Sequence, residues 1–122
     1  MKKKVYISGP ITGMRNDKYR DKFRAADNKL HEEGHYGIDP SVFGKPGQRS
    51  WAYYMKQAIP ELCKCDAIYM LEGWRNSKGA VLEHTIAKEL GMEIRDQEAE
   101  DNLDTGDYAQ DELKKLNEGK KK

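Results

Sequence analysis

The chain has 122 residues, enough for one hydrophobic core and too few for two independent ones. Its 22 Lys and Arg residues nearly balance its 21 Asp and Glu residues, so the net charge of +1 provides no global field that would attract nucleic acid. The longest apolar run, residues 67–71, is far too short to cross a bilayer, and no apolar signal-peptide segment follows Lys2–Lys4. We therefore expect one cytoplasmic domain without a membrane or nucleic-acid partner.

The first half of the chain predicts two strands around a helix. Residues 5–8 are rich in β-forming residues and end at Gly9-Pro10, which is typical of a strand that opens into a tight loop. Apolar residues then return at steps of three and four, which predicts an amphipathic helix stopped by Gly34. Its apolar positions are Tyr19, Phe23, Ala26 and Leu30. A weak strand is predicted at 36–39, and the glycines and proline of 41–49 indicate a loop.

The second half continues the alternation of helix and strand. Ser50 is the predicted N-cap of a helix that runs toward Cys63 and that Pro60 is expected to kink or shorten. A buried strand, a loop, a helix and a short strand follow at residues 67–71, 72–76, 77–90 and 92–94. Such alternation favours a parallel sheet with right-handed crossovers. We predict an α/β fold, a single-domain three-layer sandwich of Rossmann or flavodoxin type with four to five parallel strands and helices on both faces.

The composition changes at about residue 95. Residues 1–95 carry all the predicted strands and form the predicted domain. Residues 96–122 are first acidic and then basic, and they are nearly free of apolar side chains before Tyr108. We expect this C-terminal tail to be partly mobile, with a weak helix around 112–116.

Two loops are the candidate ligand sites, because ligands of open parallel sheets bind beyond the carboxyl ends of the strands. The glycines of the loop at 8–13 permit close approach of a ligand, and its hydroxyls can bind phosphate, although an ordinary tight turn would also explain them. The loop at 74–79 opens a helix, whose N-terminus either binds an anion or is simply capped. The candidate ligand- and phosphate-binding residues are Ser8, Gly9, Pro10, Thr12, Gly13, Trp74, Ser77 and Gly79.

Glu83 is the candidate catalytic residue. On a helix it lies in the middle of the apolar stripe formed by Ile86, Ala87 and Leu90, so its carboxylate faces the core. That position is costly unless the group is hydrogen-bonded, paired or open to a pocket, and burial tends to raise its pKa. A catalytic role is one explanation, and a structural bond to a core partner such as the Tyr6 hydroxyl is the other.

The remaining candidates are weaker. Asp66 begins the third strand and is either a site residue or a turn residue. Trp74 lies in a loop and is assigned to the ligand side, whereas the aromatic residues at helical spacing are assigned to the core, namely Trp51, Tyr53 and Tyr54. Cys63 and Cys65 are one residue apart, which suits neither a structural disulfide nor a Cys-x-x-Cys metal site. We predict no metal and no cofactor.

Three segments of the chain resemble the nucleoside 2-deoxyribosyltransferase-like superfamily. They are Val-Tyr-Ile-Ser-Gly-Pro-Ile-Thr-Gly at 5–13, Asp-Ala-Ile at 66–68, and Ser-Lys-Gly-Ala-Val-Leu-Glu at 77–83 together with Ala87. Within that superfamily the chain most resembles a small uncharacterised branch common in bacteriophages and bacteria. The resemblance implies a small-molecule nucleotide ligand and a homodimer or larger homo-oligomer.

The resemblance also implies residue roles. Glu83 would be the nucleophile that attacks C1′ of a deoxyribose and releases the base, after which the sugar passes to another base or to water. Tyr6 would orient this carboxylate and Asp66 would lie at the sugar and base. Ser77 stands where nucleoside-monophosphate N-glycosidases carry a serine that binds the 5′-phosphate. The leading hypothesis is therefore an N-glycosidase acting on a (deoxy)nucleoside 5′-monophosphate.

Two other readings stay open. The chain could be a noncatalytic module that binds or sequesters a nucleotide-derived ligand in the same pocket, with Val81 and Thr85 blocking attack by Glu83. A structural or interaction protein is the third reading, but it leaves the core-facing Glu83 and both loops without a purpose. Glycosidase activity distinguishes the first hypothesis from the second.

Overall fold

The computed structural model describes residues 2–11, 16–43 and 50–103. Within them lie four strands, β1 (Lys4–Ser8), β2 (Tyr36–Ile38), β3 (Ala67–Met70) and β4 (Glu93–Asp96). The α-helices of the same residues are α1 (Asn16–Glu32), α2 (Trp51–Cys63), α3 (Lys78–Glu89) and α4 (Gln97–Leu103). Short 3-10 turns cover Pro40–Phe43 and Trp74–Asn76. None of the helices in these ranges is both long and apolar enough to span a membrane.

The four strands form one parallel sheet in the order β2-β1-β3-β4. The central position of β1 is fixed by its register, in which Tyr6 lies opposite Ile38 on one side and Ile68 on the other. Since all strands run in the same direction, their carboxyl ends lie at one edge of the sheet. The predicted parallel α/β sheet is thereby confirmed with four strands.

Helices cover both faces of the sheet. Alternation along β1 sends Val5 and Ile7 to the face covered by α1, and Tyr6 and Ser8 to the other face. The core on the α1 side includes Tyr19, Phe23, Ala26 and Leu30, the stripe that the sequence predicts. The opposite core joins the sheet to α2 and α3 through Ala58, Leu62, Ala80 and Ala87. The structure therefore has the expected three layers.

Helix α2 is longer than Pro60 led us to expect. It begins after Ser50, whose hydroxyl accepts the Tyr53 N–H at 3.1 Å, and it continues without interruption to Cys63. Of the two effects expected of Pro60, a kink or a shorter helix, shortening is wrong. Pro60 lies in the last turn and is exposed, so the missing N–H removes one hydrogen bond near the helix end and the ring meets no core neighbour.

Helix α4 is the element that the sequence pattern missed. It has no apolar stripe and is held by charge: Glu100 accepts hydrogen bonds from Arg95 at 2.8 Å and from Lys29 on α1 at 3.2 Å. Arg95 also binds Glu33 at 2.7 Å. The segment expected to be a tail thus begins with a helix docked on the domain, while the weak helix predicted at 112–116 lies outside the described residues.

We expect Glu100→Gln to lower the free energy of unfolding by about 1 kcal/mol at pH 7, because the amide loses the charge that binds Arg95 and Lys29. Hydrogen bonds from Arg95 hold the pKa of Glu100 below its usual value. The difference from wild type is therefore present at neutral pH and is lost as the pH falls through that lowered pKa.

Chemical denaturation measures this effect, with Asp101→Asn as the control. Asp101 is exposed on the same helix, and its substitution should change the free energy of unfolding by less than about 0.5 kcal/mol. Equal losses from the two substitutions would contradict a role for the charge network in docking α4.

Candidate active site

The Glu83 carboxylate lies between α3 and the central strand. Only 4% of the residue is exposed, which confirms the burial that the apolar stripe predicts. The Tyr6 hydroxyl donates a hydrogen bond to Oε2, and the Ser8 hydroxyl donates one to Oε1 at 2.7 Å. Tyr6 and Ser8 are two residues apart on β1, so their side chains share one face of the sheet. Each carboxylate oxygen is therefore matched by a hydroxyl from the same strand.

Burial makes Glu83 easier to protonate than an ordinary glutamate. It raises the pKa of Glu83 to about 7, while the hydrogen bonds from Tyr6 and Ser8 act in the opposite direction. Burial and the Glu83 charge together raise the pKa of Tyr6 well above its usual value, so Tyr6 remains a donor. No cation among the described residues forms an ion pair with Glu83. A carboxyl poised near neutral pH suits a nucleophile or a general base.

Tyr54 and Asp39 are neighbours of this site that sequence reasoning missed. Burial raises the pKa of Tyr54, and the charges of Glu83 and then Asp39 raise it further. Asp39 directly follows β2, at the carboxyl edge of the sheet, and its Oδ1 accepts the Ser41 N–H at 2.9 Å. The position of Asp39 after a parallel strand was the signal that could have found it. Tyr54 gave no signal beyond helical spacing.

The loop after β1 meets the loop after β3. The Leu71 N–H donates to the Ser8 carbonyl at 2.8 Å, and a Cβ added at Gly9 would lie 2.7 Å from Cβ of Leu71. A Cβ on Gly73 would stand 3.6 Å from Cγ of Pro10. The absence of a side chain at position 9 therefore makes room for Leu71, which agrees with the tight turn that the sequence left open as the alternative to close approach of a ligand. Thr12 and Gly13 lie outside the described residues.

The start of α3 shows the capping that was the simpler explanation for its sequence. Ser77 is the N-cap, and its hydroxyl accepts the Ala80 N–H at 3.2 Å. Gly79 packs against α2, since a Cβ there would lie 3.2 Å from Sδ of Met55. Capping uses one lone pair of the Ser77 oxygen and leaves the hydroxyl hydrogen for a ligand.

Trp74 is a packing residue in this structure. It is 7% exposed, its ring stacks on His84 at a centroid distance of 4.4 Å, and Nε1 donates to Asp96 at 3.3 Å. The neighbouring backbone is held by α4, because the N–H groups of Glu72 and Gly73 donate to the side chains of Gln97 and Glu98 at 2.8 and 3.1 Å. We had expected the Trp74 ring to face a ligand, whereas in the structure it packs against His84 and binds Asp96. Two aromatic residues assigned to the core, Trp51 and Tyr53, are exposed.

The structure does not bring Asp66 to Glu83. Asp66 is exposed at the amino end of β3, and its Oδ2 accepts the Lys4 N–H at 2.9 Å. Lys4 is four residues before Ser8, so Asp66 lies about 13 Å from the carboxyl edge along the strand direction. Its observed role is that of the turn residue that the sequence left open as an alternative.

Val81 and Thr85 point away from the candidate site. Both are exposed, and the Thr85 hydroxyl donates to the Val81 carbonyl at 3.0 Å. Each is two residues from Glu83, which at about 100° per residue places them on the opposite side of α3. Neither side chain faces the carboxylate, so the structure gives no steric support to the alternative in which they block attack by Glu83.

The site lies within a segment that matches a known family model. Residues 3–96 match the family described as a domain of unknown function, DUF4406. The matched segment contains β1, α3 and all the described neighbours of Glu83. No curated protein matches the chain. Within the described residues no group of three or more His, Cys, Asp or Glu side chains could hold a metal ion.

We expect the stability difference between wild type and Glu83→Gln to depend on pH. The pKa of Glu83 is raised from 4.5 to about 7 in the folded state, so the folded protein binds this proton more tightly than the unfolded chain. Stability from this group is complete below pH 4.5 and falls as the pH rises to about 7. Relative to Glu83→Gln, the wild type should lose about 3 kcal/mol over that interval.

Chemical denaturation at pH 5 and pH 8 measures the difference. Glu89→Gln, at an exposed position of the same helix, is the matched control and should follow the wild type at both pH values. A wild-type minus Glu83→Gln difference that stays constant with pH would contradict the raised pKa.

Proposed function

Because the chain belongs to the DUF4406 family, whose description names no activity, we propose a function from the site itself: cleavage of the N-glycosidic bond of a (deoxy)nucleoside 5′-monophosphate. The observation that carries the proposal is the buried Glu83 carboxylate, held by hydroxyls of Tyr6 and Ser8. The resemblance to the nucleoside 2-deoxyribosyltransferase-like superfamily supports the choice of reaction, since Glu83 and Tyr6 match its nucleophile and orienting tyrosine.

The proposed reaction has two steps at C1′ of the sugar. In the first, an Oε atom of Glu83 bonds to C1′ while the bond to the base nitrogen breaks and its electron pair leaves with the base. In the second, water attacks C1′ and the Glu83 carboxylate leaves. Over both steps, water supplies the hydroxyl that remains on the sugar and the proton that ends on the base.

The two hydroxyls of β1 have a defined task in this reaction. They hold the Glu83 carboxylate in one orientation and stabilise its ionised form, which is the nucleophilic one. The raised pKa of Tyr6 keeps its proton in place through the reaction. Because β1 is paired on both sides, the hydroxyls sit on an interior strand of the sheet.

The N-terminus of α3 is the proposed phosphate site. Its first turn has no acidic side chain, so the partial positive charge of the helix end is not opposed there. Lys78 adds a positive charge in the same turn, although its Nζ lies 4.1 Å from the centre of the Trp51 ring. Ser77 and Glu83 are six residues apart, about 9 Å along one helix axis. A single rigid helix would then hold the phosphate and attack the sugar.

A noncatalytic ligand-binding module is the second candidate. It is favoured by the same burial, because a carboxylate that is 4% exposed and bonded through both oxygens can hold a binding pocket in shape without reacting. The outward positions of Val81 and Thr85 remove the steric argument for this alternative. Turnover therefore decides between the two candidates.

We expect the wild type to release free base from deoxynucleoside 5′-monophosphates more rapidly than from the matching nucleosides. Glu83→Gln should lower the rate by at least about 10³-fold, because it removes the nucleophile and keeps the shape of the side chain. The measurement is chromatography of released base over a panel of both substrate classes.

Glu89→Gln is the control and should keep full activity, since residue 89 is exposed on the same helix. Binding of nucleotides to the wild type without base release would reject the glycosidase and support the binding module. Equal activity of Glu83→Gln and wild type would reject Glu83 as the nucleophile.

The value of kcat/KM should rise with pH and level off above about pH 7, because the reaction needs ionised Glu83 in the free enzyme. Ser8→Ala removes a hydrogen bond that lowers this pKa, so its profile should shift to higher pH. Ser50→Ala, at the exposed N-cap of α2, is the matched control and should leave the inflexion in place. A shift of the Ser8→Ala profile to lower pH would contradict the assignment.

A further inference from the structure

The hydroxyl of Tyr19 is a buried polar group without a partner. Tyr19 is fully buried, and its Oη has no hydrogen bond in the part of the chain that the structure describes. A buried hydroxyl that makes no hydrogen bond destabilises the folded state, and such groups are rare. The hydroxyl therefore needs an explanation other than folding.

Packing accounts for the ring of Tyr19 and leaves its hydroxyl unexplained. The ring belongs to the core between α1 and the sheet, and it meets Phe23 edge-on at a centroid distance of 6.4 Å. A phenylalanine at position 19 would supply the same apolar surface and the same edge contact. The oxygen is thus the one part of the side chain that the core does not use.

The location of Tyr19 connects it with the candidate active site. It lies in the first turns of α1, the helix that follows the carboxyl end of β1. It packs in the same core cluster as Leu71, which directly follows β3 and fills the space beside Gly9. Tyr19 therefore lies beside the loops that follow β1 and β3, at the edge of the sheet where Ser8, the neighbour of Gly9, binds Glu83.

We propose that the Tyr19 hydroxyl hydrogen-bonds an uncharged polar group of the nucleotide accepted by the Glu83 site, an inference that rests on the proposed function. A neutral group is favoured because two carboxylates lie at this edge of the sheet and repel an anion: Glu83 is bonded to Ser8 at the end of β1, and Asp39 directly follows β2. The phosphate would bind at the N-terminus of α3, where the partial charge of the helix end is positive. Sugar hydroxyls and the polar edge of the base share the required chemistry.

Tyr19→Phe tests this assignment, because it removes the oxygen and keeps the ring. Calorimetric titrations use the full chain carrying Glu83→Gln, so that the ligand is not consumed, with Tyr19 or Phe at position 19. The probes are a deoxynucleoside 5′-monophosphate, 2-deoxyribose 5-phosphate and inorganic phosphate. We expect the affinity for the nucleotide to fall by about three- to tenfold, the worth of one hydrogen bond.

The same substitution should make the free protein more stable. Without the unpaired hydroxyl, we expect the Tm of Tyr19→Phe to rise by about 3 °C or more. Tyr36→Phe is the matched control, since Tyr36 is exposed on β2 and its hydroxyl accepts a hydrogen bond from the exposed side chain of Lys2 at 3.2 Å. It should leave both the nucleotide affinity and the Tm unchanged.

The three probes separate the possible outcomes. Weaker binding of both the nucleotide and 2-deoxyribose 5-phosphate assigns the contact to the sugar, and weaker binding of the nucleotide alone assigns it to the base. An unchanged nucleotide affinity, an equal loss for inorganic phosphate or a fall in Tm would overturn the role of Tyr19. If the chain with Tyr19 binds no nucleotide, the proposed function itself fails, and this inference fails with it.

Discussion

The pair of hydrogen bonds that β1 donates to Glu83 is the constraint on which the rest of the site depends. They join β1 to α3, so the carboxylate is fixed by a strand that is paired on both sides and by a helix that packs on the sheet. Burial favours the neutral acid, and the two hydroxyls favour the carboxylate. The balance leaves the group able to change its protonation near neutral pH. A glutamate on an exposed helix surface would have neither this fixed orientation nor this raised pKa.

Two buried polar groups near the candidate site lower the stability of the folded state. Among the residues that the structure describes, Glu83 is buried without a cation and the Tyr19 hydroxyl is buried without a hydrogen-bond partner, and both features disfavour the folded state. Both lie toward the carboxyl edge of the parallel sheet, while the cores on the two faces are built from ordinary apolar contacts. Local costs of this kind concentrate where a protein binds or reacts, because a ligand can satisfy what the fold leaves open.

Sequence periodicity predicted those features that a single element determines by itself. The strand and helix alternation, the apolar stripe of α1 and the burial of Glu83 follow from side-chain directions along one helix or strand. Features that depend on a contact between distant segments could not be predicted from sequence periodicity. Asp66 binds the Lys4 backbone at the far edge, and α4 is held by charges on other elements, neither of which a local pattern contains. The outward direction of Val81 was available from helical geometry and was overlooked.

Hydrogen bonds between α4 and the loop after β3 make these two segments a single cooperative unit. The amide hydrogens of Glu72 and Gly73 are bonded to side chains of α4, and the loop that contains them leads into α3. Whenever α4 detaches, both amides lose their acceptors at the same moment and become open to exchange with solvent. The order of the loop that leads into α3 is thus coupled to a short charged helix that begins just after the segment matched by the family model.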